Sequence, residues 1–248
     1  MHSTKIIRPK FQLEASLKKY CLLATILFTF ITPAKLFSQV DEDQLGTWYM
    51  YFWNTSIKDS PWGFQGDFQY RSWNAINDFE QRILRGGLTY TLAETDIKLT
   101  MGYADFLSGV FGNDDSTSWE HRIYQEALIP KKIGNRFYFT HRFRFEQRFI
   151  GNQNFRTRYR YNLFLNIPLN NSSIESGTVY LAFYNEVFFN GQSNIGKGKS
   201  VGFFDRNWAY AALGYAINKQ FKVQLGIMHH TTPDWSKNQM QFSVHHSF

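Results

Sequence analysis

The side chains able to do chemistry in this chain fall mostly into one register. In 136–149, RFYFTHRFRFEQRF, the charged residues Arg142, Arg144, Glu146 and Arg148 hold even positions, while Phe137, Phe139, Phe143, Phe145 and Phe149 hold odd ones. Arg156, Arg158 and Arg160 repeat the spacing against Tyr159, Tyr161 and Leu163. Glu120, Arg122 and Glu126 come before, and Glu186 after. A period of two is the signature of a β-strand, so each set shares one face. Facing arginines and glutamates can do two things. They can form a cross-strand ion-pair network that partners every charge and stiffens the sheet, or they can build a basic constriction that selects anionic solutes. Arginines outnumber carboxylates here, and Arg71, Arg85 and Asp67 join the same set, which tilts any passage towards anions.

Other reactive side chains carry weaker patterns. His245 and Ser247 stand two apart, the spacing of a histidine that activates a serine, with no acid nearby to orient the imidazole. His229 and His230 are adjacent on a strand and so point to opposite faces, a poor arrangement for binding one metal ion. Asp114 and Asp115 lie in a Gly/Ser/Thr-rich loop, where solvation competes with calcium binding. Gly196-Lys197-Gly198-Lys199-Ser200 resembles half of a phosphate loop but lacks the spaced glycine before it and the helix after it. The expectation is a non-enzyme with no catalytic residue, no metal and no cofactor.

Strands must position these charges. Besides 136–149, alternating stretches run over 46–54, 62–73, 80–90, 97–103, 119–129, 155–167, 178–189, 206–217, 221–227 and 238–248. No helix-period stretch follows residue 39. A soluble barrel of lipocalin type would put the phenylalanine face in its core and the arginines in water. A transmembrane barrel inverts this, with the aromatics towards lipid and the arginines in the lumen. Short links (92–96, 129–135, 217–220) alternate with longer polar ones (107–118, 149–156, 190–205, 231–238), the sorting of periplasmic turns and extracellular loops; 168–177 is a long exception on the short side. The chain ends on Phe242, Val244, His246 and Phe248 in one register, which reads as an assembly signal for an outer-membrane barrel, with His246 its imperfect member. The fold expected is an all-β, transmembrane antiparallel barrel of about ten to twelve strands. Even numbers are the rule for bacterial barrels, so a count of eleven implies that one stretch is not a barrel strand or that one is missed. The first stretch, aromatic on both faces, is the weakest.

The leader completes the class. Lys5, Arg8, Lys10, Lys18 and Lys19 precede the apolar run Cys21 to Thr32, which is of signal-peptide length and too short to span a membrane. Cleavage is expected near residue 39, after export through the Sec pathway, leaving residues 40–248 as one domain in the outer membrane. The chain holds 27 basic and 20 acidic residues; 1–39 hold six and one of these, so the remainder is 21 minus 19, or +2. The high pI therefore belongs to the leader and gives no case for nucleic acid as a partner. The one cysteine, Cys21, lies in the leader, so no disulfide closes the fold.

EHRIYQ (120–125), HRFRFEQRF (141–149), RTRYRYNL (156–163), YNEVFFN (184–190) and FDRNWAYAALGY (204–215) together give this chain its resemblance to an uncharacterised outer-membrane family of Bacteroidota-type bacteria, domain of unknown function 2490. The resemblance implies an outer-membrane barrel and brings no activity, ligand or catalytic residue. The function expected is a structural or porin-like barrel. Its partners would be outer-membrane lipid, the barrel-assembly machinery during biogenesis, and a small anionic solute. Two alternatives are a lipid-modifying acyl hydrolase of the outer membrane and a soluble periplasmic ligand-binding barrel.

Overall fold

The computed structural model describes residues 40–248; the expected signal peptide and its cleavage point lie outside the described residues. Eight strands follow one another as antiparallel neighbours: β1 (Gly46–Ser56), β2 (Trp62–Asn74), β3 (Asn77–Thr91), β4 (Lys98–Gly109), β5 (Thr117–Ile133), β6 (Phe137–Ile150), β7 (Arg156–Pro168) and β8 (Val179–Asn190). A small hairpin of β9 (Asn194–Gly196) and β10 (Lys199–Ser200) interrupts the meander. β11 (Phe204–Ala216) then pairs with β8, and β12 (Phe221–Thr231) and β13 (Ser236–Ser247) continue the sheet. β13 closes on β1, so eleven strands form a closed barrel with no free edge.

The closure corrects the expectation of an even count. All eleven sequence stretches are barrel strands, the first included. The odd number is accommodated because β1 and β13 run parallel, in register from Gly46↔Gln239 to Asn54↔Ser247. β1 looked weak because Trp48, Met50 and Phe52 face an aromatic part of the interior, so both faces of this strand are apolar and the period of two is hidden. The strands also run further than expected, which shortens the links: 75–76, 110–116, 151–155, 191–203 and 232–235 at one end, and 57–61, 92–97, 134–136, 169–178 and 217–220 at the other. The sorting by length is therefore weaker than the sequence suggested and rests mainly on 191–203. That link contains the glycine-lysine run, in which Lys197 (φ 54°) and Gly198 (φ 72°) make the turn of the β9–β10 hairpin and no phosphate loop.

The two faces of the wall are sharply sorted. Leu213, Leu225, Ile227, Phe143 and Tyr159 lie on the outside, each half exposed or more. Trp119, Phe149 and Phe155 ring the outer face at one end, and Trp62, Phe137 and Phe248 at the other. Arginines, carboxylates and a set of large aromatics fill the inside. Two inward glycines make room for rings lying across the inner wall. A Cβ on Gly102 would stand 2.4 Å from Cζ of Tyr124, its cross-strand partner, and one on Gly214 would stand 2.3 Å from Cζ of Tyr180, its partner on β8.

Candidate functional site

Successive strands bring the charged residues together inside the barrel. β5, β6, β7 and β8 are consecutive neighbours, and their register sets Tyr124 opposite Glu146, Glu146 opposite Arg158, and Asn162 opposite Glu186. One continuous chain of ion pairs results. Glu120 takes Arg148 (2.5 Å) and Arg122 (2.6 Å). Arg122 reaches on to Glu146 (3.2 Å), and Glu146 to Arg160 (2.7 Å). Arg160 also meets Glu186 (2.8 Å), which takes Arg142 (2.8 Å). Arg142 and Arg144 then share Glu126. Glu146 sits at the centre, 1% exposed.

Arg156 and Arg158 stand outside this chain. Arg158 pairs with Asp205 at 3.1 Å, together with Arg206. Arg156 is buried and has no ion pair among the described residues. Arg85 holds Asp67 through two hydrogen bonds of 2.7 and 2.9 Å. Arg71 lies 3.6 Å from the centre of the Trp48 ring, whose indole N–H donates to Glu80 at 2.8 Å. Glu80 and Asp205 were not foreseen as interior groups. Each is the extra residue of a β-bulge, where the register slips between Arg71 and Ser72 and between Phe204 and Arg206. Alternation fails at a bulge, so no period-two pattern could have assigned them.

A cavity of about 510 Å³ adjoins the network. It extends from Gln81 and Ser108, near the 110–116 end, to Ser247 and Lys222, near the 217–220 end. Nine arginines and lysines line it, against two carboxylates, Glu120 and Glu186. Its other wall is aromatic, from Trp48, Tyr180, Phe188, Trp208 and Tyr210. Ile174, from the long 169–178 link, packs against this wall at the 217–220 end.

The remaining candidates separate. Ser243 Oγ and His245 Nε2 lie 3.0 Å apart inside the barrel, whereas Ser247 Oγ accepts a hydrogen bond from Asn54 Nδ2 at 3.0 Å. His245 is therefore paired with Ser243 and not with Ser247. His229 is outside, 3.0 Å from Asn238 Oδ1, while His230 is buried inside beside Trp48 and Trp208. Asp114 accepts the backbone N–H of Ser116 at 2.9 Å, which holds its carboxyl below the usual range. Among the described residues no three His, Cys, Asp or Glu gather as a metal site would require. Phe242, Val244, His246 and Phe248 all face outward on the last strand, and the ring of His246 is satisfied by the Tyr51 hydroxyl at 2.8 Å.

Tyr51 and His246 exemplify the outer wall. His121 shares a bond of 2.6 Å with Tyr103, His141 one of 2.8 Å with Tyr161, and Asn185 exchanges two with Asn207. Gln125 donates to Gln147 at 3.4 Å. Polar side chains among the outer aromatics thus find partners on a neighbouring strand. The family described as "Protein of unknown function (DUF2490)" matches residues 45–241. No curated protein and no solved structure matches the chain.

Proposed function

We propose, for a chain that belongs to the DUF2490 family and carries no activity by that membership, a non-enzymatic outer-membrane barrel whose cation-lined interior admits small anionic solutes. The observation that carries the reading is the inverted sorting of side chains. The outer wall is an apolar belt with aromatic ends and tied polar groups, and the charges are inside. A soluble barrel would leave Leu213, Leu225 and Ile227 in water and bury its charges, a costly exchange on both faces. Lipid satisfies the first and an internal network the second. Acyl hydrolysis at the lipid face finds no support, since His245 and Ser247 both face inward and each is bonded to another residue, Ser243 and Asn54 respectively.

The Arg–Glu chain holds the interior open and rigid. The excess of nine cations over two carboxylates on the cavity wall supplies the selectivity. Planar-bilayer recording of the refolded protein is expected to give small, anion-preferring conductance steps. Cation preference would overturn the selectivity. Silence from protein whose folding is proved by heat-shifted gel mobility would leave a sealed, structural barrel.

The parallel seam sets residue 41 and the 217–220 turn at opposite rims, so an orientation can be tested. Asp41 lies at the end opposite the 217–220 turn, where its carbonyl accepts from Lys237 Nζ at 3.1 Å. With the last strand ending in the periplasm, as in other outer-membrane barrels, an epitope inserted at 41–43 is expected to bind antibody on intact cells. One inserted at 217–220 is expected to bind only after permeabilisation. The reverse pattern would invert the barrel; binding at both sites would argue against a membrane-embedded wall.

A further inference from the structure

The cavity has two unlike walls, and small inorganic anions use only one of them. We infer that the interior is a binding site for an organic anion with a planar apolar body, such as an aryl carboxylate. The inference rests on the proposed entry of anions into the barrel and names their class.

Three features converge. The first is that cations lie directly against the aromatic wall. Arg71 lies 3.6 Å from the Trp48 ring centre and 5.5 Å from that of Trp208, and Arg160 lies 4.4 Å from that of Phe188. Trp48 and Phe188 both meet Trp208 edge-on, at 5.1 and 4.6 Å between centres, so the rings form a continuous apolar surface with cations along its margin. A flat aromatic body would stack there while its carboxylate meets the guanidinium groups.

The second feature is a pair of unused donors. Three other polar groups of this wall are engaged: Trp48 Nε1 donates to Glu80, Tyr184 donates to Gln241 Oε1 at 3.1 Å, and the Tyr180 hydroxyl accepts from Gln224. Trp208 Nε1 and the Tyr210 hydroxyl, in residues 8% and 6% exposed that line the cavity, have no partner among the described residues. Buried donors without acceptors are uncommon in folded proteins, and an anionic oxygen would satisfy them. The third feature is size. A volume of about 510 Å³ suits a molecule of one or two rings and is far larger than a single oxyanion requires.

Saturable binding by titration calorimetry to the folded full-length mature protein in detergent tests the inference, with three probes: 2-naphthoate, acetate and 2-naphthalenemethanol. Naphthoate is expected to bind at least roughly ten-fold more tightly than either of the others, since each lacks one of the two wall interactions. In Trp208→Ala the preference over acetate should vanish, and in Arg71→Met the preference over the neutral alcohol should. Tyr210→Phe keeps the ring and its packing, and is expected to weaken naphthoate but not the neutral alcohol. It serves where the larger truncations fail to refold. Equal affinity for naphthoate and acetate, equal affinity for naphthoate and the alcohol, or no saturable binding would each overturn the inference. Anion conductance alongside any of these results would leave the passage reading in place. Tight naphthoate binding in a barrel without conductance would keep the site and remove the passage.

Discussion

Glu146→Gln is expected to cost the folded barrel about 3–5 kcal/mol, the effect of removing one partner from a buried ion pair. Glu146 is fully buried and, among the described residues, is the only carboxylate joining Arg122 (3.2 Å) to Arg160 (2.7 Å). Each arginine has a second carboxylate, Glu120 and Glu186 respectively, yet those are also shared with Arg148 and Arg142. The amide keeps the shape and can still accept a hydrogen bond, so what is lost is the charge. Five arginines would then divide three carboxylates in an enclosed space. The readout is the midpoint of urea unfolding of the refolded protein, followed by heat-shifted mobility. Glu94→Gln, in the exposed 92–97 link, is the control and should stay within about 0.5 kcal/mol. A second test separates charge imbalance from poor packing. Arg160→Met in the Glu146→Gln background should recover part of the loss, because the leftover guanidinium goes with its carboxylate. A change of less than about 1 kcal/mol in Glu146→Gln would mean that water in the cavity screens the network and that it does little to hold the fold.

Most of that network was legible before the structure, for a physical reason. Where a strand separates a charged face from an aromatic one, as in β6 and β7, the two-residue repeat alone assigns every side chain to a face. Nine of the eleven charged residues singled out lie in one chain of ion pairs. What the repeat hides is of two kinds. Glu80 and Asp205 are bulge residues, and a bulge shifts the register by one, so local alternation places them wrongly or nowhere. Trp48, Trp208 and Tyr210 are interior residues with an apolar character that reads as lipid-facing, so most of the aromatic half of the cavity could not be told from the outer belt; Tyr180 shares the register of Glu186 and reads as inward. The parallel seam is a different matter. Strand count depends on how the ends meet, which is a long-range pairing that no local pattern encodes. The facing of the wall needs more than one strand: the pattern of β6 alone fits either barrel, the leader, the link lengths and the last strand together point to arginines inside, and the closed sheet has them there.

The outer face yields the second large effect, and it separates lipid from water. Leu225 lies midway along β12, 55% exposed, opposite Leu213 on β11 and Phe242 on β13. In water, exchanging an exposed leucine for arginine changes stability by no more than about 0.5 kcal/mol. In a bilayer the same exchange at mid-depth costs about 2–4 kcal/mol, falling to about 0–1 near the interface. Leu225→Arg is therefore expected to lower the stability of protein refolded into lipid vesicles by that larger amount. Ile217→Arg, beyond the end of β11 and similarly exposed at 50%, should cost little. Neither variant touches the interior, so the conductance and anion preference of the fraction that folds should match those of the parent. The paired histidines explain why polar atoms among the outer side chains do not contradict this depth profile. His141 and His246 give their Nδ1 atoms to tyrosine hydroxyls on the next strand, whereas an arginine at Leu225 would find only Leu213, Phe242 and their apolar neighbours. A flat profile, with both variants costing the same small amount, would remove the lipid from the outer wall. The apolar belt would then need a protein partner to cover it.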